Sequence, residues 1–357
     1  MRATGEWSYR LLDPQARSLF DRLSICLGGF GPSALEHLAP PGSDNPAALL
    51  VELVEASMVL VDLSVDPPRY RVLEPMRQVG AAHLDDAGRA DAHDAHARWM
   101  QAHVDAIGRA QTLRSSAAAA ALDRETANLR GALTWLIETS RWERAAALGL
   151  PLALALSDDV AIDLIGPLAL FEGAPSSPPE LAGACAAVAG AACWLAGEAS
   201  AAEGPLAVAL DLLPSGHPRR WVPLFFRAMS RMYSGNTAGV AADTAALIEV
   251  SHAPEWAVAT SVCNTALVHL FDGDRAGGTA WLLDHDDLLT RVAAVDGFVA
   301  YARGEFAAAE DPDVALACFD QAYRQCDAAG HAFNREVAAI GRAAVLIRLE
   351  RRDAAVP

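Results

Sequence analysis

The stretch Trp7–Phe30, WSYRLLDPQARSLFDRLSICLGGF, decides how the first part of this 357-residue chain is read. Asp13 followed by Pro14 has the form of an N-cap with proline at the first helical position, where a missing N–H costs nothing. Ala16, Leu19, Phe20 and Leu23 then recur at helical spacing and predict one buried face. Gly28-Gly29 stops that helix. Downstream, Ser33 is placed to cap a short second helix carrying Leu35 and Leu38, which Pro40-Pro41-Gly42 ends. Asn45-Pro46 opens a third helix, running to Ser57, with the stripe Leu49, Leu50, Leu53 and Val54. The pattern then becomes extended at Met58-Val59-Leu60-Val61, turns through Asp66-Pro67-Pro68, and is extended again from Arg69 to Leu73. Three helices and a hairpin predict a winged helix over residues 1–88. Glu74-Pro75 starts a further helix with Met76 and Val79 inward.

Past this module the chain reads as helical throughout. Residues 89–174 are expected to form a helical linker and the start of a repeat, and the proline-rich break Ala174-Pro175-Ser176-Ser177-Pro178-Pro179 precedes a solenoid over 175–357. Four segments there share a helix end, a glycine and a new helix start: WLAGEA at Gly197, MYSGNT at Gly235, LFDGDR at Gly273 and YARGEF at Gly304. Their spacings of 38, 38 and 31 residues scatter about the ~34 of tetratricopeptide repeats. Glycine at each turn between antiparallel helices would accept positive φ. The repeat is degenerate, and the chain stops after LERRD, within what reads as another hairpin. The expected fold class is therefore mainly α: a winged helix of three helices plus a β-hairpin, a helical linker, and a degenerate TPR-like α-solenoid.

Residues 7–84 resemble the winged-helix module that follows the nucleotide-binding domain in AfsR-like and large LuxR-type STAND regulators of bacteria. The stretch Arg69–Leu84, RYRVLEPMRQVGAAHL, stands where that family has the form RYRLLETVRQYAAERL. LVELVEASMVLVD at 50–62 takes the place of its LVDRSLV pattern. The likeness continues in His96-Ala97-Arg98-Trp99 and in Asp123–Ile137, DRETANLRGALTWLI, which follows the family's (D/E)xxNLRxALxWxL element at Asn128, Leu129, Arg130, Ala132, Leu133 and Trp135. The resemblance implies a non-enzymatic regulatory segment, coupling a small-molecule, peptide or protein signal on the solenoid to a P-loop ATPase domain through the winged helix. It also implies that the Asn128 element packs the linker helices onto the start of the repeat. The alternative is a free-standing solenoid adaptor for protein partners.

Composition limits the chemistry. The 28 basic residues are all arginines, so these 357 residues hold no Walker A lysine, Schiff-base lysine or lysine general base. With 52% hydrophobic and 20% charged residues the chain is of ordered globular type. No apolar run reaches the length of a membrane span, since Leu148–Leu156 ends at Ser157-Asp158-Asp159. The N-terminus lacks the apolar region of a signal peptide, and the chain is expected to be cytoplasmic. Of the net charge of −17, residues 1–144 carry −4 (15 Arg, 19 acids) and residues 145–357 carry −13 (13 Arg, 26 acids). That acidity disfavours a nucleic-acid partner.

Candidate sites follow from these patterns. The third helix of the wing carries Glu52 and Glu55 and no arginine, so it cannot gain counterion-release energy from DNA phosphates. Where some STAND relatives have a phosphate-sensing Met-His-Asp motif, this chain has Val72-Leu73-Glu74. Arg69, Arg71, Glu74 and Arg77 near that junction are candidates for contact with a partner domain, or else solvated surface residues. His93, His96 and His103 on one helix, with His83 upstream, have spacing compatible with a metal but lack an HExxH motif. Asp158-Asp159 and Asp284-His285-Asp286-Asp287 read as helix-end acids rather than acid-base pairs. Six cysteines without CxxC spacing read as core residues. No GxSxG or GxGxxG pattern is present. No cofactor, metal or catalytic residue is expected.

Overall fold

The computed structural model describes residues 2–109, 116–155, 162–176 and 178–349. Asp158-Asp159, Ser177 and all of LERRD past Leu349 lie outside them. The chain is mainly helical. In order, the elements are α1 (Arg2–Leu11), α2 (Pro14–Leu23), α3 (Leu35–Leu38), α4 (Pro46–Glu55), β1 (Leu60–Asp62), β2 (Arg69–Arg71), α5 (Glu74–His83), α6 (Asp86–Arg109), α7 (Ser116–Arg124), α8 (Thr126–Glu138) and α9 (Trp142–Ala155). Then come α10 (Ile165–Ala169), α11 (Pro179–Leu195), α12 (Ala199–Leu212), α13 (Trp221–Tyr233), α14 (Thr237–Ile248) and α15 (Glu255–Phe271). The last are α16 (Arg275–Asp284), α17 (Asp286–Arg291), α18 (Asp296–Ala307), α19 (Pro312–Ala329) and α20 (Ala332–Arg348). Two compact units result: Met1–Gln111 with Ala120–Leu148, and Thr112–Ala119 with Gly149–Pro357.

In the first unit α2 forms as its sequence dictates. The Asp13 carboxylate accepts from the Gln15 N–H with Pro14 at the first turn, which satisfies an amide that has no intrahelical partner. Ala16, Leu19, Phe20 and Leu23 are fully buried. The Asn45 side chain caps α4 by accepting from the Ala48 N–H, and Leu50 and Leu53 point inward. Strands β1 and β2 pair antiparallel, Leu60 opposite Arg71 and Asp62 opposite Arg69. Phe30, just past Gly28-Gly29, bridges Tyr70 through reciprocal backbone bonds of 2.8 and 2.9 Å. The glycine pair lets the chain turn into that bridge: both residues have positive φ, and a Cβ at Gly29 would lie 2.7 Å from the Tyr70 carbonyl oxygen.

The expected capping role of Ser33 does not hold. Ser33 sits inside the 3₁₀ turn Pro32–Ala34 ahead of α3, which has no side-chain cap, and its hydroxyl accepts the Trp99 indole N–H at 3.1 Å. That bond ties α6 to the winged helix. Within the first unit α6 packs on α3 and on α8.

The second unit is a run of antiparallel helix pairs. Each helix from α11 to α16 packs on the next, and α18, α19 and α20 continue the series. The first helices of successive pairs also touch one another, α11 with α13, α13 with α15, α15 with α18 and α18 with α20, which gives the solenoid its continuous inner layer. Gly197, Gly235 and Gly273 take φ of 82°, 75° and 85° at the turns after α11, α13 and α15, as their repeat predicts.

The fourth expected turn is a correction. Gly304 lies within α18, buried against Phe319, where a Cβ would stand 2.8 Å from the ring. The glycine there serves close helix packing, and the chain turns later, before Pro312. The left-handed turn that follows is at Gly330, φ 76°, capping α19. Helix α11 is built for close approach in the same way: a Cβ at Gly190 would lie 2.5 Å from Leu206 Cγ on α12.

Candidate functional site

Each unit holds one arrangement that asks for explanation. In the first it is a buried polar clasp centred on Asn128, on α8. The Asn128 Oδ1 accepts from the Leu27 N–H at 2.8 Å and faces His96 Nε2 at 3.1 Å. Its Nδ2 donates to the Gly29 carbonyl at 2.8 Å and to Glu125 Oε2 at 2.7 Å. The side chain is fully buried and its amide is satisfied on both ends, as a buried polar group must be. Glu125 in turn receives Arg69 of β2, whose second nitrogen reaches the Arg124 carbonyl at 3.2 Å. The clasp therefore holds the Gly28-Gly29 turn, the wing and α6 against one helix.

The element expected to pack the linker helices onto the repeat is bonded through Asn128 to the glycine turn of the winged helix and to α6. The physical reason is that the two carbonyl and amide groups freed by the glycine turn have no backbone partner, and Asn128 supplies both an acceptor and a donor.

Protonation states follow from burial. His96, against Asn128 and edge-on to Trp99 at 5.7 Å, has its pKa lowered to about 4 because burial disfavours the imidazolium. Burial also lowers His93, which stacks on Trp135 at 4.6 Å. Asp94 is pushed up by burial, but Arg141 and the Trp135 N–H outweigh that and hold it below the usual carboxylate range. Asp21 is pushed up to about 6 by burial, against the lowering effect of the Tyr9 hydroxyl that donates to it at 2.8 Å.

The second unit holds a cavity of about 660 Å³, on the inner layer formed by α11, α13, α15, α18 and α20. Its walls include Trp194, Phe225, Met229, Phe298, Tyr301 and Phe333, and its polar residues are Thr260, Asn264, His331 and Asn334. The volume lies within the ~300–1,000 Å³ of ordinary small-molecule sites. In the same unit, Asp243 of α14 is 2% exposed and receives Arg227 Nε at 3.0 Å and Arg231 Nη1 at 2.9 Å. Arg231 also holds Glu203 of α12 through Nε at 3.1 Å. This charge network ties α12, α13 and α14 together, and none of its four residues is among those lining the cavity.

No family model matches the chain. An HTH-type transcriptional regulator of Mycobacterium bovis and its counterparts in two Mycobacterium tuberculosis strains, all provisionally so named, are each 30% identical over 151 residues. That stretch is 42% of this chain and 17% of each relative, so the match spans under a fifth of those proteins. Among solved structures, a signal-transduction ATPase (STAND) protein with a tetratricopeptide repeat sensor from Pyrococcus horikoshii superposes with a TM-score of 0.48. Its identity is 10%, over 98% of this chain and 57% of that one. The chain is thus weakly homologous, over part of its length, to proteins named as transcriptional regulators.

The residues singled out near the wing are brought close in sequence but serve different partners. Arg69 is taken up by Glu125. Arg77 pairs with Glu74 through Nε at 2.8 Å and Nη2 at 2.9 Å, and its Nη1 reaches the Ser24 carbonyl at 3.5 Å. Arg71 is exposed. The four histidines do not converge: His83 stacks on Tyr9 at 4.2 Å, and His103 Nε2 faces the Ala121 carbonyl at 3.3 Å. No group of three or more His, Cys, Asp or Glu among the described residues is arranged to hold a metal ion. Asp284 ends α16, while Asp286 and Asp287 lie in the first turn of α17, Asp286 receiving Arg303 at 2.8 Å. Cys26, Cys185, Cys263 and Cys326 are buried, whereas Cys193 and Cys318 are partly exposed, and burial raises the Cys185 thiol to about 11. No described helix is long and apolar enough to cross a membrane.

Sequence reasoning missed the cavity altogether. Its aromatic residues come from five helices far apart in the chain. The one local signal was an aromatic or methionine before each turn glycine: Trp194, Met232 and Phe271.

Proposed function

We propose that the chain is a non-enzymatic regulatory segment of a STAND-type transcriptional regulator. In this reading the winged helix docks on a P-loop ATPase domain, and the inner face of the solenoid receives the signal that biases the docking. The single observation that carries it is the surface of α4. In winged helices that read DNA, the corresponding helix enters the major groove and its flanks meet phosphates. Here α4 turns Val51 outward at 55% exposure beside Glu55, while Glu52 accepts the Asp13 N–H at 2.9 Å. An apolar and acidic helix suits a protein surface and repels a phosphate backbone.

A switch of this kind needs two arrangements that a signal binds unequally. The cavity in the solenoid offers the place for such a signal. Affinity capture of the purified chain from its native cytosol, with and without ATP, tests the reading by mass spectrometry. Recovery of a P-loop protein whose yield changes with nucleotide supports it. Binding of duplex DNA with a steep salt dependence would sink it.

A second reading is favoured by the internal pairing of Arg69, Glu74 and Arg77, which leaves Arg71 as the one exposed guanidinium of that group. A free-standing adaptor needs no junction contacts with an ATPase. Capture of partners unaffected by ATP, without a P-loop protein among them, would select it.

A further inference from the structure

The cavity in the second unit is chemically selective as well as large enough. No carboxylate or guanidinium lines it, although the chain carries 45 acids and 28 arginines. Its walls are ring faces and thioethers, which favour flat apolar matter with polarizable contacts. Asn264 is 1% exposed, and its Nδ2 donates to the Met229 Sδ at 2.9 Å. A thioether is a weak acceptor, so this buried amide stands to gain from a better partner in the cavity it lines. Thr260 is already bonded to the Trp256 carbonyl at 2.8 Å.

We infer that this cavity binds a neutral, flat, largely apolar small molecule whose polar atom is held by Asn264. The inference rests on the reading of the solenoid as a signal receiver and names what it receives. A peptide is the wrong occupant, because each buried backbone amide and carbonyl needs its own partner and the walls offer few. An anion meets no guanidinium there, and the chain has no lysine to supply an ammonium. A cation could meet ring faces but no carboxylate lines the cavity to pair with it, so its desolvation is only partly offset.

The test uses the 357-residue chain and N-phenyl-1-naphthylamine, an uncharged two-ring probe, followed by its fluorescence. Saturable binding at one site is expected, with the anionic 8-anilino-1-naphthalenesulfonate and the cationic 1-naphthylmethylammonium each weaker by on the order of tenfold. Phe333 lines the cavity and is 53% exposed, so Phe333→Glu places a charge at its edge without disturbing the core. That variant should weaken the neutral probe by about tenfold or more while its circular dichroism and melting temperature stay unchanged. Equal or tighter binding of either charged analogue would overturn the inference. So would neutral-probe binding indifferent to Phe333→Glu, or displacement of the probe by a pool of random decapeptides. None of these results depends on an ATPase partner. Failure here and failure of the capture experiment are therefore separable.

Discussion

The two units each bury an asparagine almost completely, and they use it in opposite ways. Asn128 is surrounded by four matched partners and fastens a glycine turn, a wing and two helices. Asn264 is equally buried but is bonded to a thioether and borders a cavity. The first amide is structural, since every donor and acceptor it meets would otherwise be orphaned. The second has its Nδ2 on a weak acceptor. The contrast is between a buried amide whose bonds hold elements of the first unit together and one in the second unit whose Nδ2 bond goes to a weak acceptor beside a cavity.

The largest expected effect breaks the first half of that comparison. Asn128→Leu removes both bonding ends at once and strands the Leu27 N–H and the Gly29 carbonyl. Unfolding in urea should show a loss of about 4 kcal/mol, the cost of several unpaired buried groups. A loss below ~1 kcal/mol would mean that water replaces the amide and that the clasp is not what fixes the wing.

Next comes the titration of the same clasp. His96 is 2% exposed, and its pKa of about 4 in the folded chain lies below the ~6.5 of the unfolded chain. Between those values the unfolded chain binds the extra proton, so stability is full above ~6.5 and falls as pH drops towards 4. The contribution lost is about 3 kcal/mol when the whole window is crossed. Asp21, raised to about 6, acts in the opposite sense: the folded state holds its proton first, so this group adds stability as pH falls through 6. Replacing His96 by Gln, which can still donate to Asn128, should flatten the acid limb of the stability curve. An unchanged limb would place the acid sensitivity elsewhere.

How much of this was legible in the sequence depends on the range of the interaction. Asp13, Pro14 and Asn45 act within a few residues, so the caps and starts of α2 and α4 could be read directly. The turn glycines 197, 235 and 273 were legible for the same reason, because positive φ is a local demand. Gly304 misled because its cause is not local: it faces Phe319 across a helix pair, and the same residue type serves turns and close packing. Ser33 misled likewise, its hydroxyl being engaged by Trp99, 66 residues away. The role of Asn128 required knowing that a turn 99 residues upstream would present an unpaired carbonyl. The cavity's walls, assembled from five helices, have no local signature beyond aromatics ahead of three turns.

Close packing in the solenoid yields a third test. Gly190→Ala drives a methyl to within 2.5 Å of Leu206 Cγ on α12. Buried branched carbon cannot yield that far without moving a rotamer or the helix, which costs about 2 kcal/mol. The matching change at Gly204, where no atom lies within 4 Å of an added Cβ, should be neutral or slightly stabilising, since alanine is the better helix former. Equal melting temperatures for the two variants would show that α11 and α12 are not in the close contact that Gly190 permits.

The smallest effect is the most informative for the comparison. Asn264→Leu keeps the side-chain volume nearly constant and removes an amide whose bond in the fold goes to a weak acceptor. If that amide contributes little to folding, the stability change should stay within about 1 kcal/mol, and relief of its desolvation could make the variant the more stable one. The same substitution at position 128 is expected to cost several times as much, although both residues are buried to the same degree. Burial alone would predict two similar losses. Satisfaction of the buried group predicts one large loss and one near zero, and urea denaturation of the two variants side by side decides between them.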